Sequence, residues 1–509
     1  MALHILFTWL ALSLPLLLLL LLLSVKNFNN KKKNLPPGPP SLPIIGNFHQ
    51  LGPLPHQSLW KLSRRYGPVM LIRLGGTPTI VISSPDAARE VLKTHDLDSC
   101  SRPQMVGTGR LSYDSLDVAF VEYGDYWREL RTLCVLELFS MKRVQSFRYI
   151  REEEVGSMIE SIAKSAESGT PVNMSEKFMA LTANFTCRVA FGKPFQGTEL
   201  EDEGFMDMVH EGMAMLGSFS ASDYFPRLGW IVDRFTGLHS RLEKSFRNLD
   251  DLYQKVIEEH RNANKSNEGK EDIVDVLLKM EKDQTELAGV RLKEDNIKAI
   301  LMNIFLGGVD TGAVVMDWTM AELARNPRVM RKAREEIRSC VGNKKWVVEE
   351  DLSGLKYLKL VLKEVMRLHP PGVLLIPRET IGHFKLSGYD VDPKCCVYVN
   401  AWGMGRDPGL WERPEEFVPE RFEDSPIDYK GNHFELIPFG AGRRRCPGMS
   451  MVMAMIELAL ANVLHSFDWE LPEGMTEGDV NMEEGAGLAV FKKVPLTLLP
   501  IKASHKIDA

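Results

Sequence analysis

Cysteine is scarce in this chain: seven residues in 509, at Cys100, Cys134, Cys187, Cys340, Cys395, Cys396 and Cys446. The number is odd, the positions are scattered, and no spacing matches a zinc site. Cys395 and Cys396 are too close for an ordinary bridge. A disulfide framework is therefore excluded, and reduced thiols in a cytosol-facing domain are expected. The sequons at Asn173, Asn184 and Asn264 should then go unused. Positive charge is not in excess either. The net charge of −6 argues against a nucleic-acid partner. There is no internal repeat, which excludes solenoids and propellers. Lys and Arg are absent from the first 25 residues, so the basic start of a cleaved secretory peptide is missing. What remains is a composition of 44% hydrophobic and 26% charged residues, ordinary for a globular chain. Length alone would divide it into about three domains.

Leu3 to Val25 is apolar except for His4, Thr8, Ser13, Pro15 and Ser24. As a helix it would span roughly 35 Å, enough for a ~30 Å hydrocarbon core. Lys26, Lys31, Lys32 and Lys33 follow it, and the positive-inside rule puts them in the cytosol. Residues 1–25 therefore read as one retained transmembrane anchor. Residues 26–47 read as a basic and Pro-rich hinge, in which Leu35 to Asn47 is a stiff extended spacer.

Phe439 to Gly448 reads as a loop that holds one thiolate. Gly442 permits a tight turn. Cys446 precedes Pro447, which is favoured at the first position of a helix, and the apolar run from Met451 to Leu464 is that helix. A helix N-terminus favours the anionic form of a cysteine. Arg443, Arg444 and Arg445 add positive charge. A lone cysteine is more often a small buried hydrophobe, yet a thiolate for iron and a guanidinium for a propionate suit a haem.

The spacing Phe-x-x-Gly-x-Arg-x-Cys-x-Gly resembles the haem-binding loop of the cytochrome P-450 monooxygenases. The resemblance implies heme b, with Cys446 as the only metal ligand, Phe439 by the sulfur and Arg444 on a propionate. Four further stretches resemble the family in order. Leu35 to Asn47 is similar to the Pro-rich hinge of its microsomal members. Trp127 and Arg131, four apart on one helical face, match Trp-x-x-x-Arg and are implied to reach the propionates. Spacing alone would make them a surface Arg under a packed Trp. Glu122 stands where relatives often carry an apolar residue or proline. Gly307 to Gly312 lies inside the longest helical pattern, Lys293 to Arg325. It resembles the oxygen-activation groove, with Asp310 and Thr311 implied as catalytic residues that deliver protons. On spacing alone the glycines would be a close helix contact. Relatives usually have Ser or Thr where this chain has Gly312. Glu364 and Arg367, three apart, match Glu-x-x-Arg, and Arg421 lies in Pro-Glu-Arg-Phe. The three are implied to form a buried structural triad.

The fold implied is mainly α with small β-sheets, one catalytic domain over residues 48–509, preceded by the transmembrane helix. Two strands are predicted around Gly75-Gly76, a helix from Pro85, a long loop over 101–120, helices over most of 140–280 and a strand over Val494 to Leu499. Phe120, Gly307, Gly308, Val373, Leu374 and Leu488 are implied to line a substrate pocket, with Arg378 on a propionate. His369 and His383 are weaker ligand candidates. The methionine-rich stretch 205–230 reads as a core helix or as an adaptable lid touching the membrane. The implied activity is oxidation of a small hydrophobic specialised metabolite (terpenoid, alkaloid or phenolic) with O2. Electrons would come from NADPH through NADPH–cytochrome P450 reductase, docked on Arg128, Lys142, Arg143, Arg443 and Arg445. The location would be the endoplasmic reticulum membrane, single-pass, with the catalytic domain cytosolic. The alternatives are a reductase-independent isomerase or dehydratase of the same fold, and a membrane protein without catalysis.

Overall fold

The computed structural model describes residues 33–262 and 271–503. The expected anchor of residues 1–25 and the sequon at Asn264 lie outside them. Pro55 opens helix α1 (Pro55–Tyr66) at a position where its missing N–H is not needed. The β-branched run that follows forms β1 (Val69–Leu74) and β2 (Thr77–Ile82), antiparallel about Gly75-Gly76 as predicted. The sheet is completed by β3 (Arg378–Glu379) and β4 (Cys396–Val399) in the order β1-β2-β4-β3, with β2 and β4 parallel. The Pro-rich stretch is not a free spacer. It is laid along β1, with the Leu71 N–H donating to the Pro37 carbonyl at 2.9 Å and the Asn47 N–H to the Arg73 carbonyl at 2.6 Å.

The predicted helix from Pro85 spans Pro85–Arg89 and continues as a wider π turn to Thr94. The expected long loop over 101–120 contains a helix, α2 (Val106–Leu111). It is six residues long and includes two glycines, too short and too weak a former to show a helical period. Helix α3 (Asp125–Leu133) buries Trp127 and Leu130. The predicted helical span is carried chiefly by a helix over Arg148–Ser168 and by α4 (Met174–Phe191), α5 (Phe205–Leu216) and α6 (Leu238–Asn262). Then come α7 (Glu294–Arg325), α8 (Pro327–Val341), α9 (Lys356–Leu368) and α10 (Met449–Ser466). A hairpin of β5 (Glu484–Gly485) and β6 (Phe491–Lys492) follows. The predicted terminal strand is displaced to Thr497–Lys502, because its ladder with Val172–Asn173 begins only at Thr497.

Helices α7 and α10 are long and apolar enough to cross a membrane, but 67% of each apolar window is buried inside the protein. They are core helices. One hydrophobic cluster draws its members from Leu111 to Leu498, across the boundaries that a division by length into three would draw. A second cluster fills the space between the four-stranded sheet and the segment from Phe434 to Ala441. The loop carrying Cys446 therefore lies where the helical core meets the sheet.

Candidate functional site

The cysteine loop is closed on itself. The Cys446 N–H donates to the Phe439 carbonyl at 3.0 Å, and the Arg445 N–H to the Gly442 carbonyl at 3.2 Å. Gly442 has φ +70°, and a Cβ there would fall 2.0 Å from the Leu92 carbonyl oxygen. Only glycine fits. Helix α10 starts at Met449 with Gly448 as its cap, so Pro447 stands ahead of the first turn, not in it as predicted. The amides of Gly448 and Met449, with Arg131 and Arg445, favour the thiolate, but burial outweighs them and pushes the Cys446 thiol up. The helix-end amides act in the direction expected but do not by themselves outweigh burial. A metal cation bound here would favour the deprotonated sulfur. Phe439 packs half-buried against Tyr429, ring centres 5.8 Å apart.

Beside the loop lies a cluster of buried and partly buried arginines. Arg444 donates to the carbonyls of Cys100 at 2.8 Å and Val121 at 2.7 Å and lies over the Trp127 ring. The Trp127 indole donates to the Val118 carbonyl at 3.0 Å. Arg131 donates to the Arg445 carbonyl. Arg378 binds Asp96 at 2.6 Å and the Ala441 carbonyl at 3.0 Å. A fourth arginine, Arg102, was missed by the sequence reading. It donates to the carbonyls of Ala119, Ile376 and Pro377 at 2.8, 2.8 and 2.7 Å. A single basic residue in an aperiodic stretch gave no signal beyond its place before Pro103.

These arginines are short of negative charge. Burial, then the charges of Arg444 and Arg378, hold Arg102 well below the usual guanidinium range. Burial lowers Arg444 to about 10 and lowers Arg131 as well. Of the acids facing them, Asp117 is itself pushed up to about 6 by burial. Asp96 is divided between Arg378 and the Arg443 backbone N–H, the latter at 3.0 Å. A group with two carboxylates and a thiolate-seeking metal suits this charge deficit next to Cys446. The residues present fit a haem.

Helix α7 passes through Gly307 to Gly312 without a break. Among the described residues, no atom outside its own turn of helix lies within 4 Å of where a Gly307 Cβ would sit. Gly308 points elsewhere: its Cβ would meet Thr186 Oγ1 of α4 at 3.1 Å. That is the close helix contact the glycines suggested on spacing alone. Gly312 is wedged between α4 and α10, with Val452 at 3.0 Å, Met455 at 3.2 Å and Thr182 at 3.3 Å of its missing Cβ. The Thr311 hydroxyl donates to the Gly307 carbonyl at 2.8 Å. Asp310 has a buried Oδ1 without a hydrogen-bond partner. Burial raises its carboxyl to about 6, against the pull of His210 on α5.

Glu364, Arg367 and Arg421 meet. Glu364 accepts two bonds from Arg367 at 2.8 Å, one from Arg421 at 2.9 Å and one from the Val418 N–H at 2.8 Å. Arg367 also donates to the carbonyls of Pro414 and Glu416. The triad thus ties α9 to the chain that leads to the cysteine loop. Phe120 and Leu488 join the main core. Leu374 instead packs with Met70, Ile72 and Val81 of the sheet. Val373 is buried, and its carbonyl accepts from the Trp402 N–H at 3.2 Å. His369 Nε2 is taken by Glu322 at 2.7 Å, and His383 is exposed beside Asp390. Glu122 is exposed, as are Arg128, Lys142 and Arg443. Arg143 and Arg445 are partly covered, by contacts to Glu137 and Lys430. Asn184 is buried and bonded to Gln196.

Comparison with known proteins agrees in one direction. The family model described as cytochrome P450 matches residues 36–499. Cytochrome P450 71B36 of Arabidopsis thaliana is 52% identical over 479 residues, 93% of this chain and 95% of the relative. Cytochrome P450 71B37 of the same plant is 53% identical over 467 residues, 92% and 93% of the two chains. A zebra fish cytochrome P450 solved with abiraterone superposes with a TM-score of 0.75 at 26% identity, covering 89% of this chain and all of that one. The cysteine loop, the arginine cluster and the helical core around α7 are thus found in a chain that belongs to the cytochrome P450 family and is a monooxygenase of the plant 71B type.

Proposed function

We propose that this monooxygenase oxidises a small hydrophobic specialised metabolite (a terpenoid, alkaloid or phenolic), taking electrons from NADPH through NADPH–cytochrome P450 reductase. The observation that carries the reading is the anion-poor cluster of Arg102, Arg131, Arg378 and Arg444 beside Cys446. Cys446 would hold the haem iron and the arginines its propionates, with Trp127, whose N–H is given to the Val118 carbonyl, bracing Arg444 from below. Bound in this way, haem supplies the activation of O2, with the thiolate donating electron density. Thr311 holds a proton at Oγ1 on the open side of Gly307, and Asp310 passes protons to it from the α5 side. Phe120, Val373 and Leu488 offer apolar contact and exclude water. The apolar ligands named with the zebra fish structures, abiraterone and progesterone, support a substrate of that class.

The membrane reading has its own support. Leu228, Trp230, Val232 and Phe235 are exposed, Phe235 at 89%, and so is Ile44 at 81%. The Gly75-Gly76 turn bonds to Ile45 on one side and Tyr224 on the other, joining these two apolar stretches. Such a patch fits a bilayer surface. It complements an anchor at residues 1–25, a hinge at 26–47 and a cytosolic catalytic domain at 48–509 on the endoplasmic reticulum. Arg128, Lys142 and Arg443 present charge to an acidic reductase.

The test is reconstitution with the reductase, NADPH and candidate metabolites. Substrate-dependent NADPH use with an oxygenated product is expected, and a thiolate-type reduced CO band that Cys446→Ser abolishes. Product formed without NADPH would mean a reductase-independent isomerase or dehydratase. A thiolate band surviving in Cys446→Ser would remove Cys446 from the iron.

A further inference from the structure

Two turns beyond Thr311 on the same face of α7 lies Trp318, 1% exposed. Its indole is stacked on the His369 imidazole with ring centres 4.0 Å apart and planes 3° from parallel. His369 ends α9 and is held from the other side by Glu322, one turn further along α7, at 2.7 Å. His369 Nδ1 is buried without a partner. Burial favours the uncharged ring, and in that form Nε2–H donates to Glu322. The stack fixes the plane of the indole, whose N–H donates to the Val490 carbonyl at 3.3 Å. The Val490 N–H in turn donates to the Pro371 carbonyl at 3.0 Å. Val490 lies in the β5–β6 turn with Leu488. Pro371 opens the segment with Val373. Leu488 also reaches across to α5, its Cβ 3.3 Å from where a Gly217 Cβ would sit.

The geometry points to Trp318 and His369 as positioning residues that set the spacing between the two pocket-lining segments, 371–376 and 485–490, and so decide how bulky a ligand is accepted. We infer this on the haem-thiolate reading above. The helix that carries Thr311 would then also carry the gauge for the opposite wall, and a shift of α7 would move both together.

Trp318→Phe keeps an aromatic ring on His369 but removes the N–H. His369→Asn removes the stack and leaves the indole. Two iron ligands of different bulk are titrated spectroscopically on the haem-loaded protein: imidazole, which reports the iron alone, and 4-phenylimidazole, which also reports the wall. In both variants imidazole affinity should stay near the parent value. The ratio of the two dissociation constants should move about fivefold to tenfold, the equivalent of one net hydrogen bond. An unchanged ratio, or equal weakening of both ligands, would overturn the assignment. The reduced CO spectrum of the parent reports on the haem-thiolate reading separately. Amide exchange over 485–492, measured with or without haem, should quicken in Trp318→Phe while exchange over 294–310 stays the same. Unchanged exchange at Val490 would also overturn it.

Discussion

Arg444 and Trp127 share an acceptor. The Trp127 indole donates to the Val118 carbonyl at 3.0 Å, Arg444 Nη1 approaches the same oxygen at 3.3 Å, and the guanidinium lies 4.2 Å over the indole ring. Cation–π contact and two bonds to one oxygen fix the direction of the fork. Arg444→Lys keeps the charge and loses the plane. Losing one charge-assisted hydrogen bond, about 2 kcal/mol, should weaken haem retention by roughly thirtyfold. The ratio of haem to protein after dialysis against apomyoglobin measures it. Retention equal to the parent would show that charge alone suffices.

Glu364 is fully buried and accepts four bonds. Glu364→Ala leaves Arg367 as an unpaired buried charge, a change that costs about 3–5 kcal/mol. Thermal unfolding should move down by many degrees, with little haem-loaded protein recovered. A melting temperature like the parent's would make the triad a marginal contact.

Asp310 gives a pH-dependent prediction. Its carboxyl ionises near 3.8 when exposed and is raised to about 6 by burial. The unfolded chain therefore releases this proton first. Stability attributable to Asp310 is whole below the lower value and falls as pH rises through the upper one, by about 2–3 kcal/mol in total. Asp310→Asn should thus be more stable than the parent at neutral pH, with the gap closing towards about pH 4. It should also make less product per NADPH. Asp117 and Asp317 are shifted the same way but cancel in the difference. Denaturant unfolding of both proteins across this range is the measurement. A gap that does not vary with pH would place the carboxyl in contact with water.

What was legible in the sequence was local. The turn at Gly75-Gly76, the helix from Asp125 and the closed loop around Cys446 depend on neighbours a few residues away. Side-chain direction was not legible. Gly307 and Gly308 are consecutive, yet one faces open space and the other Thr186, because residues one apart on a helix point about 100° from each other. Gly312 reads from the motif as a lost hydroxyl. In the fold it is also a tight spot, since the side-chain ends of Val452, Met455 and Thr182 would have to give way to a larger residue. Arg102 was invisible because its three acceptors come from two distant segments. The reading of Pro447 as the first helical residue failed because Gly448, not Cys446, caps α10.

The arginine cluster also sets a timetable. Arg444 bonds to Val121 across 323 residues of chain, and Arg378 to Asp96 across 282. At about 5–20 residues per second a ribosome needs roughly 15–60 s to cover the longer gap. Through most of that interval Arg102 has only the Ala119 carbonyl of its three acceptors. On the reading proposed above, the cofactor site is incomplete on the nascent chain until Cys446 has been made, so haem capture would be a late event of synthesis. A chain halted before Cys446 would carry the amino-terminal side of the cluster with nothing to close it.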